Sequence, residues 1–340
     1  SHFANHTYVV DSKIKKAKNL EDLKDSSKDL INIISSLHAK GVKVNHISNL
    51  IGQLNTKVYQ KLYELILPKE LRNNACFIVM GSEGRNEQII KTDQDNALVI
   101  KDGIEVEQYK FYMNEITKNL IDFGYPICEG NIMVSNPFWC KTVNEYKNET
   151  ARWIEAPGIQ NYMDLAIFFD SFAVAGNKEL LINLKDNLFN KLHDKDVFMA
   201  YFAKATLAFD TPNTVTNIMT KSHIIDIKKT AVFPIVQGIR SLALKEKIRE
   251  TTTIKRIKIL ENRKVLEKDK AAELLEAFDF VNTIRLKSQL FDIQHGKKIT
   301  NEIDTHTLGK IERDLLKDSF KIINEFKRFI SYTFRIDRIS

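Results

Sequence analysis

The chain has 340 residues, of which 43% are hydrophobic and 28% charged, enough apolar material to bury the core of one large domain or two smaller ones. Its formal net charge is +7, but the lysines alternate with acids along helical stretches and no basic-aromatic interleaving appears. The balance therefore reads as a solvated basic surface, with nucleic acid not the expected partner, and no apolar run reaches the length of a membrane span.

The chain opens Ser1-His2-Phe3 without Met and without a leader, which reads as a piece of a longer, cytoplasmic protein. Cys76, Cys128 and Cys140 are the only cysteines, and they show neither metal-ligand spacing nor a disulfide framework. Residues 12–67 carry helical spacing, first through Leu20, Leu23, Leu30, Ile33, Ile34 and Leu37, then through Ile47, Leu50, Ile51, Leu54, Val58 and Leu62. Gly41 separates the two stretches and Pro68 ends the second. Exposed apolar positions on these helices leave room for a homodimer.

Residues 75–140 read as a small mixed sheet. Ala75 to Met80 is a short apolar run that ends at Gly81, and Asn96 to Ile100 is a second one. Between them lies Gly-Ser-Glu-Gly-Arg-Asn-Glu-Gln-Ile-Ile-Lys-Thr-Asp-Gln-Asp, residues 81–95. Asp93 and Asp95 alternate along an extended chain and so point the same way. Two adjacent carboxylates suit a Mg²⁺ or Mn²⁺ ion that also carries substrate phosphates. Gly81 and Gly84 allow a tight turn and close approach of a phosphate, Ser82 offers a hydroxyl and Arg85 a charged fork for phosphate oxygens. An amphipathic helix is expected between Asp102 and Phe123, and a third strand at Ile132-Met133-Val134 before Asn136-Pro137. Beyond Asn144 helices dominate, with helical periodicity over 160–176, 178–192, 196–209, 223–247, 253–262, 269–295 and 308–335.

The order of strand, Gly-Ser turn, Asp-x-Asp and strand resembles the catalytic signature of the polymerase-β-type nucleotidyltransferases. The wording Gly-Ser-Glu-Gly-Arg-x-Glu-Gln…Thr-Asp-Gln-Asp-Asn-Ala resembles one branch closely: the family designated domain of unknown function 294, with its C-terminal helical domain. This branch is related to the bacterial uridylyltransferase that modifies the nitrogen-regulatory protein. Further matching blocks are Gly124–Cys128 with Asn131–Trp139, then Phe168-Phe169-Asp170 with Ala175-Gly176. Phe233–Val236 through Arg240 and Arg285–Gln289 also match. Members often carry cyclic-nucleotide-binding and CBS domains upstream.

The resemblance implies an α+β fold: an N-terminal helical segment (1–70), a nucleotidyltransferase sheet domain (71–150) and a large C-terminal helical domain (151–340). It implies Mg²⁺-dependent transfer of a nucleoside monophosphate from a nucleoside triphosphate to an acceptor, uridylyl- or adenylyltransferase-like, in bacterial signalling. The acceptor would be a protein, at a Tyr or Ser hydroxyl, and upstream regulatory domains would be further partners. Asp93 and Asp95 would hold the metal. Gly81, Ser82, Gly84 and Arg85 would bind the triphosphate, and Glu87 and Gln88 would support the turn or lie exposed.

The superfamily's third acid is not plain. Glu129 has the charge for a metal ligand and Asn131 lacks it. Asp170, on an apolar helix, is a further catalytic candidate. The family's Arg two residues beyond it is Phe172 here, which removes a candidate phosphate or carboxylate partner. Arg285 and Gln289 share one helix face, either reaching a ligand or tied inside the bundle. Two other functions remain open: a nucleotide-sensing module without turnover, and an enzyme acting on RNA ends.

Overall fold

The computed structural model describes residues 2–212 and 223–339, and the chain divides into two compact units, Ser1–Lys191 and Leu192–Ser340. The architecture is α+β, as expected. The first unit starts with α1 (His2–Lys16), α2 (Leu20–Lys28), α3 (Leu30–Ala39) and α4 (Val44–Ile66). Asn19 caps α2 by accepting from the Asp22 N–H at 2.9 Å. The predicted apolar positions on these helices are buried, among them Leu23, Ile33, Ile47, Ile51, Val58 and Leu62. A short α5 (Lys69–Arg72) follows Pro68 and delivers the chain to the sheet.

In chain order the rest of the unit is β1 (Ala75–Val79), α6 (Gly81–Gly84), β2 (Asn96–Ile100), α7 (Glu107–Asp122), β3 (Cys140–Thr142), α8 (Val143–Glu155), α9 (Ile159–Phe169), β4 (Phe172–Gly176) and α10 (Glu179–Lys191). The sheet order is β3-β2-β1-β4. β1 runs antiparallel to β2, from Ala75 opposite Ile100 to Val79 opposite Asn96, and antiparallel to β4, while β2 and β3 are parallel. Every residue of β1 and β2 is buried, as unbroken apolar runs at the centre of a covered sheet should be. Phe77 of β1 meets Tyr59 edge-on and Tyr63 stacked, with ring centroids at 6.0 and 6.2 Å, which seats α4 against the sheet.

Two details of the first unit depart from the sequence-based expectation. The third strand is Cys140–Thr142, not 132–134; Ile132 instead accepts one bond from the Asn96 N–H at 3.0 Å, and Val134 donates to the Asn96 side chain rather than to a ladder. The predicted helix over 160–176 stops at Phe169, and Phe172–Gly176 becomes the edge strand β4. Gly176, at φ +80, brings its backbone so close to the Ala75 carbonyl that a Cβ would overlap it. β4 completes the sheet, and the first compact unit runs through α10 to Lys191.

The second unit contains α11 (Asp196–Lys204), β5 (Ile224–Asp226), α12 (Phe233–Lys245), α13 (Thr253–Asn262), α14 (Lys268–Gln294), β6 (Glu302–Asp304) and α15 (Lys310–Thr333). β5 and β6 form an antiparallel pair, so the helix expected from residue 223 begins only after that strand and a wider turn at Lys228–Val232. Gly238 lets α12 approach Phe326 of α15 where a Cβ would collide. Among the described residues no helix is long and apolar enough to cross a membrane.

Candidate active site

The antiparallel pairing of β1 with β2 sets the site. Val79 and Asn96 face each other at one end of the sheet, so the segment 80–95 leaves and returns at the same edge. Met80 N–H donates to the Asp95 carbonyl at 2.8 Å and extends the ladder by one bond. Side chains then alternate. Gln94 and Asn96 are fully buried: Gln94 Nε2 donates to the Tyr125 carbonyl at 3.2 Å, and Asn96 Oδ1 accepts from the Val134 N–H at 2.9 Å. Asp93 and Asp95 take the other side and are half-buried.

On that side the oxygens of Asp93 and Asp95 and the sulfur of Cys128 all lie within 4.8 Å of one another. Cys128 Sγ donates to Asp95 Oδ1 at 3.2 Å. Two carboxylates and a thiol converging on one point fit a divalent cation. Gly81, at φ +54, makes the arrangement fit: a Cβ there would overlap Asp95 Oδ2. Gly84 has a different partner, since a Cβ on it would overlap the carbonyl of Asp170. The two glycines of the turn are thus dictated by a carboxylate and a backbone within the protein.

The turn is tied to the acid pair by one amide. Ser82 Oγ donates to Gln88 Oε1 at 2.9 Å, and Gln88 Nε2 donates to the Asp93 carbonyl at 2.7 Å. Arg85 is buried: its Nε donates to Glu87 at 2.6 Å and its Nη1 to Asp170 at 2.7 Å. Burial works against the guanidinium charge, but Glu87 and Asp170 outweigh it and hold the group protonated. Asp170, fully buried at the C-terminal end of α9, thereby gains the cationic partner that Phe172 does not supply.

Glu83 is a further acid on the turn, its buried carboxyl held neutral. Its Oε1 accepts from the Tyr59 hydroxyl at 2.6 Å, and its Oε2 is buried without a hydrogen-bond partner. Burial, with Asp95 and Asp93 nearby, pushes its carboxyl well above the usual range. Burial likewise pushes the Cys128 thiol up to about 12, with Asp95 adding to the effect. Lys91 donates to Ser27 O and Oγ at 3.0 and 2.6 Å and to the Phe123 carbonyl at 2.9 Å, and it lies 4.4 Å from the Tyr125 ring centre. Burial lowers its pKa to about 7.

The converging set of donors does not include Glu129 or Asn131. Glu129, the expected metal ligand, is exposed, as is Asn131. Asn131 N–H donates to the Cys128 carbonyl at 2.9 Å, which puts Glu129 and Gly130 at the tip of a turn and directs their neighbour Cys128 inward. In the second unit, Arg285 and Gln289 share one partner, the Asn301 side chain, at 2.7 and 3.4 Å. Residue patterns had not singled out Cys128, Glu83, Lys91 or Tyr59. Gln94 and Asn96 sat inside the quoted motif, and their alternation with the two acids was the available signal.

Residues 28–160 match the family described as Putative nucleotidyltransferase DUF294, and residues 196–334 match Putative nucleotidyltransferase substrate binding domain. The chain belongs to this nucleotidyltransferase family. The first match holds the Gly-Ser turn, the acid pair and Cys128, all in the first compact unit of the nucleotidyltransferase. The second match lies within the second unit, where a cavity of about 370 Å³ is lined by Leu266, Leu274, Phe326 and Phe329 with Lys270 among its polar residues. No curated protein matches the sequence.

Proposed function

We propose that this nucleotidyltransferase uses a divalent cation, Mg²⁺ or Mn²⁺, at Asp93 and Asp95 to move a nucleoside monophosphate from a nucleoside triphosphate to a protein hydroxyl in bacterial signalling. The observation that carries the reading is the convergence of Asp93 and Asp95 beside the Gly81-Ser82 turn, with a third donor within 4.8 Å. When bound, the cation supplies neutralisation of phosphate charge and alignment for in-line attack. Asp93 and Asp95 supply the oxygens that hold it. Gln88 keeps the turn and the acid pair in fixed relation through its two hydrogen bonds. Arg85, spanned by Glu87 and Asp170, braces the turn from behind. Asp170 is a positioning residue on this reading.

The test is pyrophosphate release from each nucleoside triphosphate with Mg²⁺ and candidate acceptor proteins. Asp93→Asn and Asp95→Asn should each lower turnover by at least on the order of 10²–10³-fold, the scale of losing one group that stabilises transition-state charge. Turnover within a few-fold of the parent in both variants would remove the proposal. A second reading is favoured by one observation, the thiol in place of a third carboxylate: a module that binds the nucleotide without turning it over. Saturable triphosphate binding with no pyrophosphate released across acceptors would select it.

A further inference from the structure

Asp93 sits between two side chains that grip the same turn. Lys91 Nζ donates to the Phe123 carbonyl at 2.9 Å, and Gln94 Nε2 donates to the Tyr125 carbonyl at 3.2 Å. The Lys91 ammonium also lies 4.4 Å from the centre of the Tyr125 ring. Lys91 then reaches one element further. Its Nζ donates to the carbonyl and the hydroxyl of Ser27 at 3.0 and 2.6 Å. Ser27 is fully buried in the last turn of α2, and Phe123 directly follows the last residue of α7. Both carbonyls thus lie at helix C-termini, where the helix dipole favours a cation. Lys24 of α2 also pairs with Asp122 of α7 at 2.9 Å, so the two helix ends are joined twice.

We infer that Lys91 is a positioning residue through which α2 fixes the direction of Asp93 and Asp95. The inference rests on the proposed cation at the acid pair and goes beyond it by making an N-terminal helix part of the site's control. An ammonium has three donors, and three oxygens of Ser27 and Phe123 receive them, which leaves the side chain one orientation. Lys91 stands two residues before Asp93, and Gln94 pins the chain just after it. A shift of α2 moves the Ser27 oxygens. Lys91 must then follow and turn the segment that carries the acids, or leave an ammonium short of acceptors in a largely enclosed place, which is costly. Displacement of α2 therefore reaches the acid pair.

The experiment measures Mn²⁺ affinity of the full chain by electron paramagnetic resonance, with denaturant unfolding beside it. The parent is compared with Lys91→Met, Ser27→Ala, the double variant and Ile33→Ala, a truncation in the buried face of α3 that controls for lost stability alone. Lys91→Met should lower the affinity by on the order of 10- to 100-fold, the scale of losing a group that orients a metal ligand. Ser27→Ala should lower it about three- to tenfold, the scale of one hydrogen bond, and should add nothing in the Lys91→Met background. Ile33→Ala should lower stability and leave the affinity within about twofold of the parent. Parent-like affinity in folded Lys91→Met, an equal Ser27→Ala loss in both backgrounds, or a matching loss in Ile33→Ala overturns this inference and leaves the proposed function standing. Should Lys91→Met not fold, Ser27→Ala decides: parent-like affinity overturns the inference and a loss supports it. If the parent binds no Mn²⁺ in dependence on Asp93 and Asp95, the proposed function fails and the inference falls with it.

Discussion

Asp93 and Asp95 share a face because Gln94 and Asn96 are committed to the other one. Buried amides bonded to the Tyr125 carbonyl and the Val134 N–H cannot rotate outward without leaving polar groups unpaired. That alternation was legible in the sequence, since side-chain direction along an extended chain follows position alone. The third donor was not. Cys128 approaches Asp95 across 33 residues, and Glu129, the neighbour with the expected charge, is turned away by a backbone reversal that no residue type announces. Arg85 teaches the same lesson: a guanidinium in a phosphate-binding pattern is engaged here by Glu87 and Asp170, a pairing visible only after folding. The Arg85–Asp170 pair, at 2.7 Å with Asp170 fully buried, makes a sharp prediction. Asp170→Asn leaves a buried guanidinium short of one counter-charge and should cost about 3–5 kcal/mol in denaturant unfolding. Glu87→Gln, at the more exposed end of the network, should cost less. A loss below about 1 kcal/mol for Asp170→Asn, the range of a surface pair, would contradict the bracing role.

At the scale of elements, α4 carries two faces. Its apolar period, through Ile47, Ile51, Leu54, Val58 and Leu62, was readable and is buried as expected. The adjacent stripe of Ser48, Gly52, Asn55 and Tyr59 was not readable as functional, yet it lies along the signature turn. Ser48 Oγ donates to the Asn86 carbonyl, Gly52 leaves space that the Asn86 side chain fills, Asn55 accepts from the Tyr125 hydroxyl, and Tyr59 holds Glu83. Asn86 itself adopts φ +61, a conformation that needs such support. The same spacing that gave α4 its core thus supplies a polar rail for the turn. β4 shows the opposite failure, an apolar stretch whose period could not separate strand from helix until its register with β1 decided it. Tyr59→Phe keeps the ring against Phe77 and removes only the hydroxyl. Glu83 then has neither oxygen bonded, and stability should fall by about 1–3 kcal/mol, with turnover falling and the KM for the triphosphate little changed. Unaltered turnover with the stability loss present would mean that the rail serves folding alone.

At the scale of the molecule, the family matches and the compact units agree on where the chain divides. The first match ends at residue 160 and the second begins at 196, and the division at Lys191/Leu192 lies in that gap. Between the two matches β4 completes the sheet as its edge strand beside β1, and α10 ends the first unit. Asp93, Asp95, Cys128, Glu83, Arg85, Asp170 and the α4 rail all belong to Ser1–Lys191. Cation binding should therefore be separable from transfer. A fragment spanning residues 1–191 keeps Asp93, Asp95 and Cys128 together with the Gln88, Arg85 and α4 bonds described around them, and its Mn²⁺ affinity should stay within about threefold of the full chain, a difference below roughly 0.7 kcal/mol. Transfer to an acceptor should be lost, because the domain described as substrate-binding has been removed. Calorimetry on the folded fragment beside the full chain decides the matter. Cation affinity that collapses in a fragment with intact secondary structure would mean that the site needs the second unit, and that the donors of the first unit are not sufficient by themselves.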